Sequence, residues 1–141
     1  MALNLPENLY NQVIVHLTSA YPHEGAGFLV GKELDDQRSV CMILALDNEW
    51  ETNETHKRYK ITPNAFLEAE NTAEKHGLGL IGVFHSHPDH PARPSEYDRK
   101  LALPWFSYLI ISIYKNRVGH ATSWLLSDNR DHFIEELLNI E

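Results

Sequence analysis

The feature that most constrains this chain is the apolar run Leu78-Gly79-Leu80-Ile81-Gly82-Val83-Phe84, which leads directly into His85-Ser86-His87. A short continuous apolar run of this kind reads as a buried strand. Side chains at i and i+2 of a strand share one side, so His85 and His87 project together from its end. A loop punctuated by Pro88, Pro91 and Pro94 follows, and it closes on Ser95-Glu96-Tyr97-Asp98. Asp98 falls at the start of a predicted helix, from which it can be folded back to meet the two histidines. Two imidazoles and a carboxylate are the ligand types of a catalytic zinc site, with the fourth position left for water.

The rest of the chain is consistent with one domain, 1–141, large enough to bury a real core. Its 12 basic against 20 acidic residues give a formal net charge of −8. With no Lys/Arg-rich block, it is a poor candidate for binding nucleic acid or an anionic membrane. No apolar run approaches the ~20 residues that span a bilayer, and the N-terminus lacks the pattern of a signal peptide. The single cysteine, Cys41, allows no intrachain disulfide, which agrees with a cytoplasmic location. Cys41 is expected to pack as a small apolar residue on a strand.

In chain order, residues 5–20 read as a helix, with Leu9, Val13, Leu17 and Ala20 on one face, Asn4 as N-cap and Tyr21-Pro22 as its stop. A strand through Phe28-Leu29-Val30 follows, punctuated by Gly25, Gly27 and Gly31. Those glycines fit either close approach of a substrate tail or a tight turn or bulge. The 32–38 stretch reads as a hairpin turn and 39–46 as a second strand. The polar 47–59 stretch is a long loop, placed where it can flank a substrate. Tyr59-Lys60-Ile61 reads as a short strand. Thr62-Pro63 opens a helix that Gly77 ends.

Ser95, three residues before Asp98, also forms a capping box, a role compatible with a catalytic one. The helix it opens is expected to end near Leu103. Residues 107–114 and 118–126 read as strands. The 132–140 segment fits a short helix by periodicity. The order of elements is that of a mixed α/β domain, a curved and largely antiparallel sheet with flanking helices.

The pattern His-x-His, seven residues, Ser, two residues, Asp resembles the signature of the JAMM (MPN+) zinc metalloproteases, and His85, His87, Ser95 and Asp98 match it without a gap. The run from His85 to Ser95 resembles the short prokaryotic members. Pro22-His23-Glu24-Gly25-Ala26-Gly27-Phe28-Leu29-Val30-Gly31 is similar to the upstream segment that carries the family's glutamate.

The resemblance implies the MPN fold, with a last strand over 132–140, and a Zn²⁺ held by His85, His87 and Asp98. Glu24 is then the acid–base group that serves water and leaving amine, and Ser95 a hydrogen-bond donor to the oxyanion. The expected substrate is a ubiquitin-like or sulfur-carrier protein of the ThiS/MoaD type, cut at a peptide or isopeptide bond after its Gly-Gly tail. A general deubiquitinase-like isopeptidase and a non-catalytic MPN scaffold are the alternatives.

His90 is expected to steady the loop or sit beside the ligands without joining them. His23, a neighbour of Glu24 on a strand, is expected to face away from the site. Asp89 and Arg93 are a possible surface pair, and His16, His56, His76, His120 and His132 are read as surface or packing residues. Nothing in the sequence sets an oligomeric state.

Overall fold

A computed structural model describes residues 1–47, 50–52 and 57–141 of the chain. The elements run β1 (Ala2–Leu5), α1 (Glu7–Ala20), β2 (Ala26–Leu34), β3 (Gln37–Ala45), β4 (Trp50–Thr52), β5 (Lys57–Tyr59), α2 (Pro63–Lys75), β6 (Gly79–Pro88), α3 (Glu96–Leu101), β7 (Ser107–Tyr114), β8 (Arg117–Leu126) and β9 (Phe133–Ile140). Seven strands close into a barrel in the order β1-β3-β2-β6-β7-β8-β9, and β4 and β5 form a separate two-stranded sheet. The barrel is mixed. β2 pairs antiparallel with β3 and β6, and β8 with β7 and β9. β1 runs parallel to both β3 and β9, and β6 runs parallel to β7.

Alternation along the strands sorts the core into two faces. Leu29, Phe84, Leu109 and Ile111 pack with Leu9, Val13 and Leu17 of α1. Their chain neighbours Phe28, Val83 and Tyr108 pack on the other face, with Ala69 of α2 and with Phe106. Because β6 has period two, His85 and His87 continue the line of Val83, whereas Ser86 continues that of Phe84. No helix among the described residues is long and apolar enough to cross a membrane.

Several boundaries differ from the sequence expectation. Residues 2–5 form a strand, so Asn4 is not the cap of α1. That helix starts after Pro6 with no side-chain cap bond. Asn4 instead bonds Gln37 and Asn139 across the two neighbouring strands, at 2.8 Å in each case. The hairpin between β2 and β3 turns tightly at Asp35 (φ 57°). The 132–140 segment is strand β9, as the family resemblance implied: its pairing with β8 and β1 overrides the helical spacing of its apolar residues. Cys41 lies on β3 but is exposed, because its position in the pleat points to solvent. The stretch expected to be a loop at 47–59 instead carries β4 and β5, which pair with each other antiparallel, so the short strand expected at 59–61 ends at Tyr59; residues 48–49 and 53–56, His56 among them, lie outside the described residues.

The β2 glycines have a packing reason. A Cβ at Gly27 would lie 2.3 Å from the Phe84 ring, and one at Gly31 would lie 1.9 Å from the Ser39 carbonyl oxygen. The β2–β3 register also shifts between Val30 and Gly31. Gly31→Ala should therefore lower stability by about 1–3 kcal/mol in urea denaturation, as overpacking typically does. A variant of unchanged stability but impaired activity would instead point to the substrate reading of that glycine.

Candidate metal centre

The site forms where β6 leaves the barrel. His85 is fully buried and His87 is 7% exposed. Ser95 caps α3: its Oγ accepts the Asp98 N–H at 3.1 Å, and Asp98 Oδ2 accepts the Ser95 N–H at 2.8 Å. This reciprocal capping box orients a carboxylate that is 4% exposed toward the end of β6. His85 Nε2 lies 3.2 Å from Asp98 Oδ1, His87 Nε2 lies 3.0 Å from Asp98 Oδ2, and the two Nε2 atoms are 3.3 Å apart.

His85, His87 and Asp98 thus offer three donor atoms from buried residues, all within 4.8 Å of one another. A tetrahedral ion with bonds of ~2.0–2.1 Å holds its ligand atoms roughly 3.3 Å apart, close to the spacings observed. His87 Nδ1 lies 2.9 Å from the Pro91 carbonyl oxygen. With the proton on Nδ1 it donates to that carbonyl and leaves the Nε2 lone pair for an ion, the usual outer support of a metal-bound histidine. The residues present fit a metal ion.

Electrostatics couple the three residues to one another. Burial alone would raise the Asp98 carboxyl, but the charges and hydrogen bonds of His85 and His87 outweigh it and hold Asp98 far below the usual carboxylate range. Burial works against charge on His87, yet the hydrogen bond and charge of Asp98 raise its pKa. Glu24 precedes β2 and is within electrostatic reach of all three residues. Burial pushes its carboxyl up, His85 and His87 pull it down, and Asp98 pushes it up again, leaving it raised. A raised carboxyl suits a group that must both take and return a proton near neutral pH.

Two contributors were not found in the sequence. Tyr59, at the end of β5, stacks on His85 with ring centroids 4.8 Å apart, and its N–H donates to Glu24 Oε1 at 3.3 Å. Ser86 bonds Gly25 from the opposite side of β6. Both depend on which distant segments meet, and no local spacing encodes that.

The neighbouring candidates separate clearly. His90 is exposed and is not one of the clustered donors. His23 lies on the α1 side, in a cavity of about 380 Å³ that His16, Ser19 and Tyr21 also line. The expected Asp89–Arg93 pair does not form among the described ion pairs. Asp89 accepts the Tyr21 hydroxyl instead, at 2.9 and 3.0 Å, which ties the end of α1 to the loop after His87.

Residues 6–127 match the family model for prokaryotic homologs of the JAB domain. The chain belongs to the prokaryotic JAB-domain family. It is 34% identical over 110 residues to a probable TtuB-protein conjugate cleaving protease of Thermus thermophilus, covering 78% of this chain and 70% of that protein. It is 29% identical over 126 residues to a desampylase of Pyrococcus furiosus, covering 89% and 82% respectively. A solution structure of a protein from Desulfitobacterium hafniense superposes with a TM-score of 0.82 at 31% identity, covering 100% of this chain and 93% of that one. A JAB1/MPN domain protein from Archaeoglobus fulgidus shares the fold, with a TM-score of 0.56 at 18% identity and 99% coverage of both chains. The JAB/MPN fold and a hydrolase of JAMM type are therefore the fold and enzyme class of this chain.

Proposed function

We propose that the chain is a zinc-dependent metallopeptidase, one domain over 1–141, that hydrolyses the peptide or isopeptide bond after the Gly-Gly tail of a ubiquitin-like or sulfur-carrier protein. The observation that carries this reading is the convergence of His85, His87 and Asp98 in a chain whose relatives include a conjugate-cleaving protease. Two imidazoles and a carboxylate that leave a position open suit Zn²⁺ in a catalytic setting. The lone cysteine and the acidic surface fit work in the cytoplasm on soluble partners.

A bound zinc supplies Lewis acidity, acidifying water and polarising the scissile carbonyl. The chain's own residues do the rest. Glu24 takes the proton of the attacking water on its carboxylate and hands it to the leaving nitrogen as the C–N bond breaks. The Ser95 hydroxyl, an acceptor toward Asp98 N–H, still has its own proton to give, and donates it as a hydrogen bond to the developing oxyanion.

β2 is paired on both sides, so a substrate tail has no edge to join there. The β4–β5 sheet is separate from the barrel, and through Tyr59 it touches both His85 and Glu24. An extended Gly-Gly tail that adds to an edge of this small sheet gains main-chain hydrogen bonds, and its glycines present no side chain to the buried donors.

Incubation with a ThiS/MoaD-type carrier bearing residues after Gly-Gly is expected to yield a product ending at Gly-Gly by mass spectrometry. Linked diubiquitin is expected to be cut little. Rapid diubiquitin cleavage with no trimming or release of any carrier would replace this reading with that of a general isopeptidase.

A further inference from the structure

We infer that Ser86, the residue between the two histidines, is a positioning residue that fixes where Glu24 stands; this rests on the reading of Glu24 as the proton-transfer group. Ser86 is fully buried, on the opposite side of β6 from His85 and His87. It holds Gly25 by two bonds. The Ser86 N–H donates to the Gly25 carbonyl oxygen at 3.0 Å, and the Gly25 N–H donates to Ser86 Oγ at 2.9 Å.

The second bond is unusual for the place. Ala26 pairs with His85, so the next antiparallel pair is Gly25 with Ser86. A closed pair in such a ladder exchanges two backbone N–H···O=C bonds. Here the serine hydroxyl replaces the backbone carbonyl as acceptor for Gly25. The β6 backbone on its other side is engaged by β7, with Ser86 registered against Ile111. The hydroxyl therefore extends the hold of β6 on the incoming chain by one residue beyond the start of β2.

Gly25 is also confined from behind. A Cβ there would sit 3.0 Å from both Ala20 Cβ and Leu17 Cδ2 of α1. Glu24 is thus fixed at both ends, its backbone through Gly25 between Ser86 and α1, and its carboxylate through the Tyr59 N–H. Since His85 and His87 flank Ser86, one three-residue stretch of β6 sets two of the three clustered metal donors on one face and the proton-transfer group through the other.

The test compares Ser86→Ala, Glu24→Gln and the double variant on a carrier fused through Gly-Gly to a short peptide. Ser86→Ala is expected to keep its zinc and its KM while kcat falls at least ~10-fold, on the way to the ~10²-fold that a small misplacement of a reacting group can cost. It should add no further loss in the Glu24→Gln background. In zinc-free protein, the Gly25 amide should exchange with solvent faster than in the wild type. Gly25→Ala, which keeps the hydroxyl and displaces the backbone, should reproduce the kcat loss with zinc retained, and it serves as the test if Ser86→Ala does not fold. Normal kcat in Ser86→Ala or in Gly25→Ala, beside a slow Glu24→Gln, overturns this inference alone. Loss of zinc, or an equal loss on the Glu24→Gln background, assigns Ser86 to holding the metal or the fold instead. Near-normal turnover by Glu24→Gln removes the catalytic reading and this inference with it.

Discussion

His87→Ala is expected to purify without zinc and without measurable cleavage. His87 supplies one of the three clustered donor atoms, and among the described residues no fourth donor joins them to replace it. Its loss also leaves the Pro91 carbonyl without the imidazole and removes one partner of Asp98, whose carboxylate is nearly fully buried. Losing only an outer partner of a metal ligand costs ~10–100-fold in affinity or activity, so losing the ligand itself should cost more. Metal analysis of protein prepared without added zinc checks this, with circular dichroism to confirm that the barrel persists. The barrel core lies in residues such as Leu29, Leu109 and Ile111, away from this side chain. A folded His87→Ala protein that retains a full complement of zinc would show that the ligands lie elsewhere.

How much of this was legible in the sequence depended on how local the determinant was. α2 was readable at both ends because Thr62 accepts the Ala65 N–H, Pro63 suits a first turn, and Gly77 adopts a positive φ of 69°. The convergence of His85 and His87 was readable because period two belongs to every strand. Asp98 was readable because the Ser95 capping box fixes the first turn of α3. Where partners are distant the sequence was silent. β1 is four residues long and has no period to detect; only its parallel pairing with β3 and β9 makes it a strand. β9 carries apolar spacing that suits a helix, and β8 decides otherwise. Tyr59 lies 26 residues before His85 and Ser86 lies 61 beyond Gly25, and nothing in either local segment announces those contacts. Proximity in sequence points Asp89 to Arg93, whereas Tyr21 meets it through the fold.

Glu24→Gln should leave the metal centre intact and slow turnover by about 10²–10⁴-fold, the usual cost of removing a general acid–base group. The clustered donors are His85, His87 and Asp98, so the substitution removes none of them. Gln keeps the side-chain length and a carbonyl oxygen, which can still accept the Tyr59 N–H now bonded to Glu24 Oε1. It cannot take a proton from water and return it to the leaving nitrogen, so the loss should fall on kcat while KM and zinc content hold. The pH dependence separates this from a loss of shape. Burial, the largest influence on the Glu24 carboxyl, raises its pKa, so in the wild type the carboxylate needed to accept a proton is lost as pH falls through that raised value. The acidic limb of the kcat profile that belongs to Glu24 should therefore vanish in Glu24→Gln, leaving its residual rate flat there. A variant that turns over at near-normal rates, or that keeps the same acidic limb, would show that another group moves the proton.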